Sequence, residues 1–334
     1  MNISTRQTII FYFIYSFAIK FLMLPHFLCM DAGRDGWISA ALGCVVELLL
    51  LYLVIKLLQS NKKVFISIFL LLFLLQLIIT LKQTNFMLES TLYDELNPLL
   101  FAVPMLIFGI AFCYIPTRAI SRGGELFYIL IIAAIGLALL PALNKIDMTE
   151  VLPIFEGNIL GGLYKNLIYF ESAAILLIFK DDIKIQKNFT RNFMSWATIG
   201  CLVLVAFVFL YYAIFGPLVV ARPLAIIDIT QQSAYISQNG RLEWIIVCFW
   251  LVLLLIRFGV TFFACFAAIK SLIPRAKTAV VAIPLGVVIY VIHAFVIISI
   301  ADLHNLINIL LPFIAAFYGG VAILCLVYFG AKKS

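Results

Sequence analysis

Four ionisable residues sit inside stretches of sequence that are otherwise apolar. Lys20, Glu47, Glu171 and Arg257 are each surrounded by Leu, Ile, Val, Phe and Ala, and Lys165 lies nearer the end of such a stretch. At about 1.5 Å per helical residue, Lys20 is roughly 18 Å from the start of its stretch and Glu47 roughly 15 Å from the start of the next. A charge at the centre of a bilayer costs about 2.5–3.5 kcal/mol on insertion scales. Two cations and two anions at that depth point to mutual pairing in a bundle interior. One reading is a polar cavity or ion relay. The other is a structural ion-pair network, with Lys20 and Arg257 reaching toward an interface. Lys165 reads as a snorkelling side chain and His293 as a packing residue, while His26, just after Pro25, suits a vestibule lining or a packing role equally. Gln76, Thr80, Gln83 and Thr84 form a stripe at spacings of three and four, which lines a cavity or joins helices.

The elements that carry these residues follow from composition. The chain has 334 residues, 65% hydrophobic and only 12% charged, with a mean hydropathy of +1.16. Soluble domains are about 45–50% apolar and about 25% charged. Soluble enzyme, disordered regulator and nucleic-acid binder are thereby excluded as primary readings. The seven cysteines are scattered singly with no C-x-x-C pair, so neither a disulfide framework nor a metal site is indicated. No nucleophile with a base in reach and no phosphate loop is present, so the chain is expected not to be an enzyme and to need no cofactor.

A helix needs about 20 apolar residues to cross the hydrocarbon core. That length divides the chain into ten spans, near 8–30, 37–58, 64–85, 98–116, 125–143, 154–179, 193–219, 242–270, 278–300 and 303–329. The first is expected to be a retained helix rather than a signal peptide. About fifteen Lys and Arg fall in one set of alternate loops and five, including Lys82, in the other, which places both termini in the cytoplasm. The net charge of +7 is then a topological signal rather than a sign of an anionic partner. The expectation is an all-α integral membrane protein, a single transmembrane domain over 1–334. Ten spans divide into two five-helix halves, near 8–143 and 154–329, and an odd number per half makes the second an inverted repeat. Such folds bind where the first helix of each half is broken. Here the pointers are Pro25 with His26 in the first span, and Pro153, Gly157, Gly161 and Gly162 near the outer end of the sixth.

The stretch from Asp31-Ala-Gly-Arg-Asp-Gly-Trp37 through Ser39-Ala40 resembles the signature after the first helix of the endospore-germination permeases, the B subunits of germinant receptors. These belong to the amino acid–polyamine–organocation superfamily. Leu139-Leu-Pro141, Leu152-Pro153, Tyr169-Phe-Glu171, Phe215-Gly-Pro217 and Arg241-Leu-Glu243 with Trp250 follow in the family's order. One departure stands out: the family's glycine-rich break reads Ala18-Ile-Lys20-Phe21 here, so a lysine takes the place of a glycine. The resemblance implies a transporter-like fold that senses a small nutrient, such as an amino acid, in a spore inner membrane alongside A- and C-type subunits. Glu171 falls on a family position and Lys20 on one only as a substitution; with the breaks at Pro25 and Gly161 they make the expected ligand site, within the charge network of Lys20, Glu47, Glu171 and Arg257 read above. A secondary transporter of amino acids or related solutes, and a non-transporting membrane scaffold, are the alternatives.

Overall fold

A computed structural model describes residues 3–59, 69–91, 98–179, 182–183, 188–232, 242–295, 309–316 and 318–320. The regular secondary structure of the described chain is helical, apart from one parallel bridge between Ile3 and Ile183. Its helices are α1 (Thr5–Lys20), α2 (Leu24–Ala32), α3 (Gly36–Gln59), α4 (Leu70–Thr91), α5 (Pro98–Phe112) and α6 (Thr117–Ala142). They continue with α7 (Ile159–Lys165), α8 (Phe189–Phe215), α9 (Ala225–Gln232), α10 (Leu242–Leu272) and α11 (Thr278–Phe295). Among the described residues six stretches are long and apolar enough to span a bilayer: Leu24–Leu58, Leu70–Thr91, Arg122–Lys145, Phe189–Ala221, Trp244–Leu272 and Thr278–Phe295. Shorter apolar helices at Leu99–Phe112, Leu167–Leu177 and Ile309–Gly320 accompany them. Outward side chains such as Leu71, Leu140, Leu202 and Phe313 are exposed, as on a surface facing lipid. Parts of the sequence reading lie outside the described residues: among the loop charges that set the orientation, Lys62, Lys63, Lys180, Lys184, Lys187, Arg241, Lys332 and Lys333, the acidic Asp94 and Glu95, and also Cys325 and most of the span at 303–329.

The stretch near 8–30, read from the sequence as a first span, is two helices. A capping box starts α1, Ser4 and Gln7 each accepting the other's backbone N–H at 3.3 and 3.2 Å. The α-helix gives way at Phe21–Met23 and resumes at Leu24. Pro25 causes this from one turn further on, because its ring has no N–H and crowds the carbonyl four residues earlier, that of Phe21. The sequence reading put the break at Pro25 itself. It lies one turn before, and Pro25 opens the second helix.

The sixth span is not a continuous α-helix either. Asn158 caps α7 by accepting the Gly161 N–H at 2.9 Å. The α-helix ends at Asn166, a 3-10 turn covers Leu167–Phe170, and a second runs from Ser172 to Leu177 with Glu171 between them. The interruptions fall at Asn166 and Glu171, not at the glycines. Pro153 and Gly157 precede α7, and Gly161 and Gly162 lie within it. Gly162 serves close packing: a Cβ there would stand 2.9 Å from the Ala32 side chain and 3.0 Å from the Ser39 hydroxyl.

Helix packing brings the two interrupted spans to the centre. α3 packs against α8 and the Ser172–Leu177 turn, and α10 against α1, α4 and α5. The buried apolar side chains form two clusters. Along α3 the first cluster holds Cys44 and the second begins at Leu51; along α10 the change falls between Leu254 and Phe258. In the sixth span it falls between Phe170 and Ala173. Glu47, Arg257 and Glu171 occupy those three junctions, so the charges form a thin layer between two apolar halves.

Candidate functional site

The charged layer is built from single residues on four separate elements. Lys20, at the end of α1, is ion-paired with Glu47 of α3. The second Glu47 oxygen accepts from the Tyr12 hydroxyl at 2.8 Å. Tyr12 precedes Lys20 by eight residues, about two helical turns, so both share one face of α1. The Lys20 ammonium also stands 5.5 Å from the centre of the Phe170 ring, a cation–π distance. Both Glu47 oxygens thus have a donor.

Arg257 of α10 is held by α1 and α4. It donates to the Tyr15 carbonyl through Nη1, to Gln76 Oε1 through Nη2 at 2.8 Å, and to Thr80 Oγ1 through Nε at 3.4 Å. Its guanidinium lies 4.2 Å from the centre of the Tyr15 ring. Gln76 and Thr80 are four apart on α4, which places them side by side on one face. Gln76 also donates to the Ile168 carbonyl at 2.8 Å, tying α4 to the sixth span. Glu171 stands 3.6 Å from Arg257, an ion-pair distance too long for a hydrogen bond. All four ionisable side chains are at most 2% exposed.

The backbone freed by the break in the first span is taken up by the protein itself. The Ala18 carbonyl accepts from the Trp250 indole at 2.8 Å, and the Leu22 carbonyl accepts from the Ala225 amide at 2.7 Å. Two crevices flank the layer. One of about 210 Å³ lies beside Lys20 and Glu47, between α1 and the Gly200–Cys201 region of α8. The other, about 260 Å³ and apolar, reaches Glu171 past Leu50, Val54 and Phe69.

Outside the layer, the stretch from Asp31 to Ser39 works as a clamp on the approach to the sixth span. Asp31 is ion-paired with Lys165 at 2.7 Å and accepts from Asn166 at 3.2 Å. Gly33 adopts φ +59°, a left-handed conformation that suits glycine. Arg34 donates to the Leu152 carbonyl, and Asp35 accepts the amides of Phe155 and Gly157 at 3.0 and 2.7 Å. Ser39 donates to the Ile159 carbonyl at 2.8 Å. Lys165 is therefore partnered as well as half exposed.

The structure thus brings Lys20 to Glu47 and Glu171 to Arg257. Pro25 is buried at the start of α2, and Gly161 sits on α7 engaged with its Asn158 cap, with no polar contact to the layer among the described residues. His26 is buried with Nδ1 2.7 Å from the Val219 carbonyl, a packing position rather than a vestibule lining. Lys82, placed in a loop by the sequence reading, is inside α4 and 7% exposed, donating to the His293 carbonyl at 3.4 Å. The α4 helix extends to Thr91, so the polar run Lys82–Asn85 is helix rather than its end. Tyr12, Tyr15 and Trp250 were not among the sequence candidates for the layer, although Tyr12 could have been found from its two-turn spacing to Lys20.

Comparison with curated proteins returns no match. The family model described as spore germination protein, the spore permeases, matches residues 2–302, so the chain belongs to that family.

Proposed function

We propose that this multi-pass, permease-like membrane protein is the B-type subunit of a germinant receptor, sensing a small nutrient such as an amino acid between its broken first and sixth spans. On this reading ten helices form two inverted five-helix repeats, near 8–143 and 154–329. The termini are cytoplasmic, the membrane is the spore inner membrane, and A- and C-type subunits are the partners. The observation that supports the reading best is the meeting of both interrupted spans at one buried charged layer. Interrupted helices in transporter folds expose backbone and helix ends to a solute at mid-membrane. Ligand binding would act by favouring one arrangement of the layer, through its differential affinity for the two states.

Lys20, Pro25, Gly161 and Glu171 are the proposed ligand contacts, with Lys20 and Glu171 setting the local charge. The experiment replaces Lys20 by Gly and Glu171 by Gln, then measures nutrient-triggered germination of spores carrying each variant. Loss or change of the nutrient response with normal membrane insertion supports the site; an unaltered response in both variants overturns it. A second reading, a non-transporting fold, draws support from the internally satisfied carbonyls of Ala18 and Leu22. Solute uptake by purified protein in liposomes would instead favour a secondary transporter.

A further inference from the structure

Glu171 is 2% exposed, and among the described residues neither of its carboxylate oxygens has a hydrogen-bond donor and the adjoining Ser172 hydroxyl has no partner. Arg257 offers charge at 3.6 Å, too far for a hydrogen bond, and the hydrogen bonds its three nitrogens do make run to the Tyr15 carbonyl, Gln76 and Thr80. Lys20 is engaged with Glu47. An ionised carboxylate in a dry interior is costly unless donors solvate it. Glu171 has the charge neighbour without the donors.

We propose that Glu171 is a proton-binding site, loaded and emptied through the apolar crevice that ends on it. The crevice is large enough to admit a water molecule. It lies on the side of the layer where α3 ends and α4 begins, lined by Val54, Phe69 and Leu72. A hydronium ion gives its proton to one Glu171 oxygen and leaves as water. The layer then changes from neutral to a single positive charge, which resides on Arg257. That guanidinium keeps its three acceptors and the face of the Tyr15 ring, so it does not depend on Glu171 for solvation.

A metal cation suits the place less well. Hard cations take about six or more oxygen ligands, whereas the unspent oxygens here are those of Glu171, Ser172 and the Tyr15 hydroxyl. Lys20 and Arg257 would also repel it. The groups that face Glu171 are Tyr15 and Lys20 from α1, Glu47 from α3, Arg257 from α10 and Tyr318 from the helical stretch 309–320. α4 presents Gln76 and Thr80, which do not titrate, and Tyr169 precedes Glu171 on its own segment.

The test is infrared difference spectroscopy of the full chain in lipid nanodiscs, stepped between about pH 9 and pH 5 without ligand. The expected result is a protonated-carboxyl band that appears on acidification, is lost in Glu171→Gln and is retained in the exposed control Glu150→Gln. Adding sodium at fixed pH should leave the band unchanged. Persistence of the band in Glu171→Gln, absence of any titrating carboxyl band in the unsubstituted protein, or displacement of the band by sodium overturns the proposal. Should Glu171→Gln fail to insert, Glu171→Asp keeps a carboxyl with altered surroundings; a shifted band supports the site and an unshifted one overturns it. Because no nutrient is present, this result is independent of whether the ligand reading holds.

Discussion

Lys20–Glu47 and Arg257–Glu171 are two buried ion pairs in one layer, alike in burial and opposite in how their carboxylates are treated. Glu47 receives the Lys20 ammonium and the Tyr12 hydroxyl. Glu171 receives no hydrogen bond among the described residues, although its cationic neighbour makes three. Burial makes an ion pair expensive, and only a full set of hydrogen bonds offsets the lost hydration. The first pair therefore reads as a fixed joint between α1 and α3. The second reads as a place where the state of one carboxylate can change without unmaking the fold.

The largest expected effect tests the fixed joint. Glu47→Gln leaves the Lys20 ammonium buried beside a neutral amide, and breaking a buried pair in this way costs about 3–5 kcal/mol. Thermal unfolding in detergent should show a large fall in the midpoint; stability like that of the unsubstituted protein would remove the distinction between the pairs. Trp250→Phe comes next. It deprives the Ala18 carbonyl of its donor at the break, with an expected loss of about 1–3 kcal/mol by the same measurement. An unchanged midpoint would show that this carbonyl needs no protein donor. Glu171→Gln should lie within about 1 kcal/mol of the unsubstituted protein, since no hydrogen bond is lost and Arg257 keeps three acceptors. If it costs as much as Glu47→Gln, the two carboxylates are equivalent.

Asp147 supplies the contrasting exposed case and the smallest effect. The Thr149 hydroxyl donates to it at 2.6 Å and the Thr149 amide at 2.9 Å, which together hold its pKa below the ordinary carboxylate value. A pKa lowered by folding adds stability above the unfolded value, and that stability is lost as pH falls through the folded value. Asp147→Asn should abolish a slight acid-side slope in the unfolding midpoint below about pH 4. An identical slope in the variant would show that Thr149 does not stabilise the charged form.

The charged layer was legible as a set of residues because an ionisable side chain inside an apolar run is conspicuous without a structure. Its pairing was not. Which of Lys20 and Arg257 meets which of Glu47 and Glu171 depends on helix rotation, and a run that is apolar on every side barely constrains rotation. Glycine was a weaker guide than charge. Gly161 and Gly162 marked the correct neighbourhood, yet they serve capping and close packing while the helix gives way at Asn166 and Glu171. Lys82 was misplaced because the helix carrying it runs on to Thr91, and a lysine near an apolar run's end reads the same whether it is looped or buried.

Composition and hydropathy alone therefore determined that this chain is a helical, multi-pass membrane protein, because continuous apolar runs of about 20 residues cross lipid as helices, whose backbone satisfies itself. The order of short motifs carried the family. The tertiary structure decided where donors and acceptors end up. Trp250, Ala225 and Arg257 reach the first span from more than two hundred residues away, and no local pattern encodes such distances. It also decided that one buried carboxylate is solvated by the protein and the other is not, since that depends on the directions of a few side chains rather than on their identities.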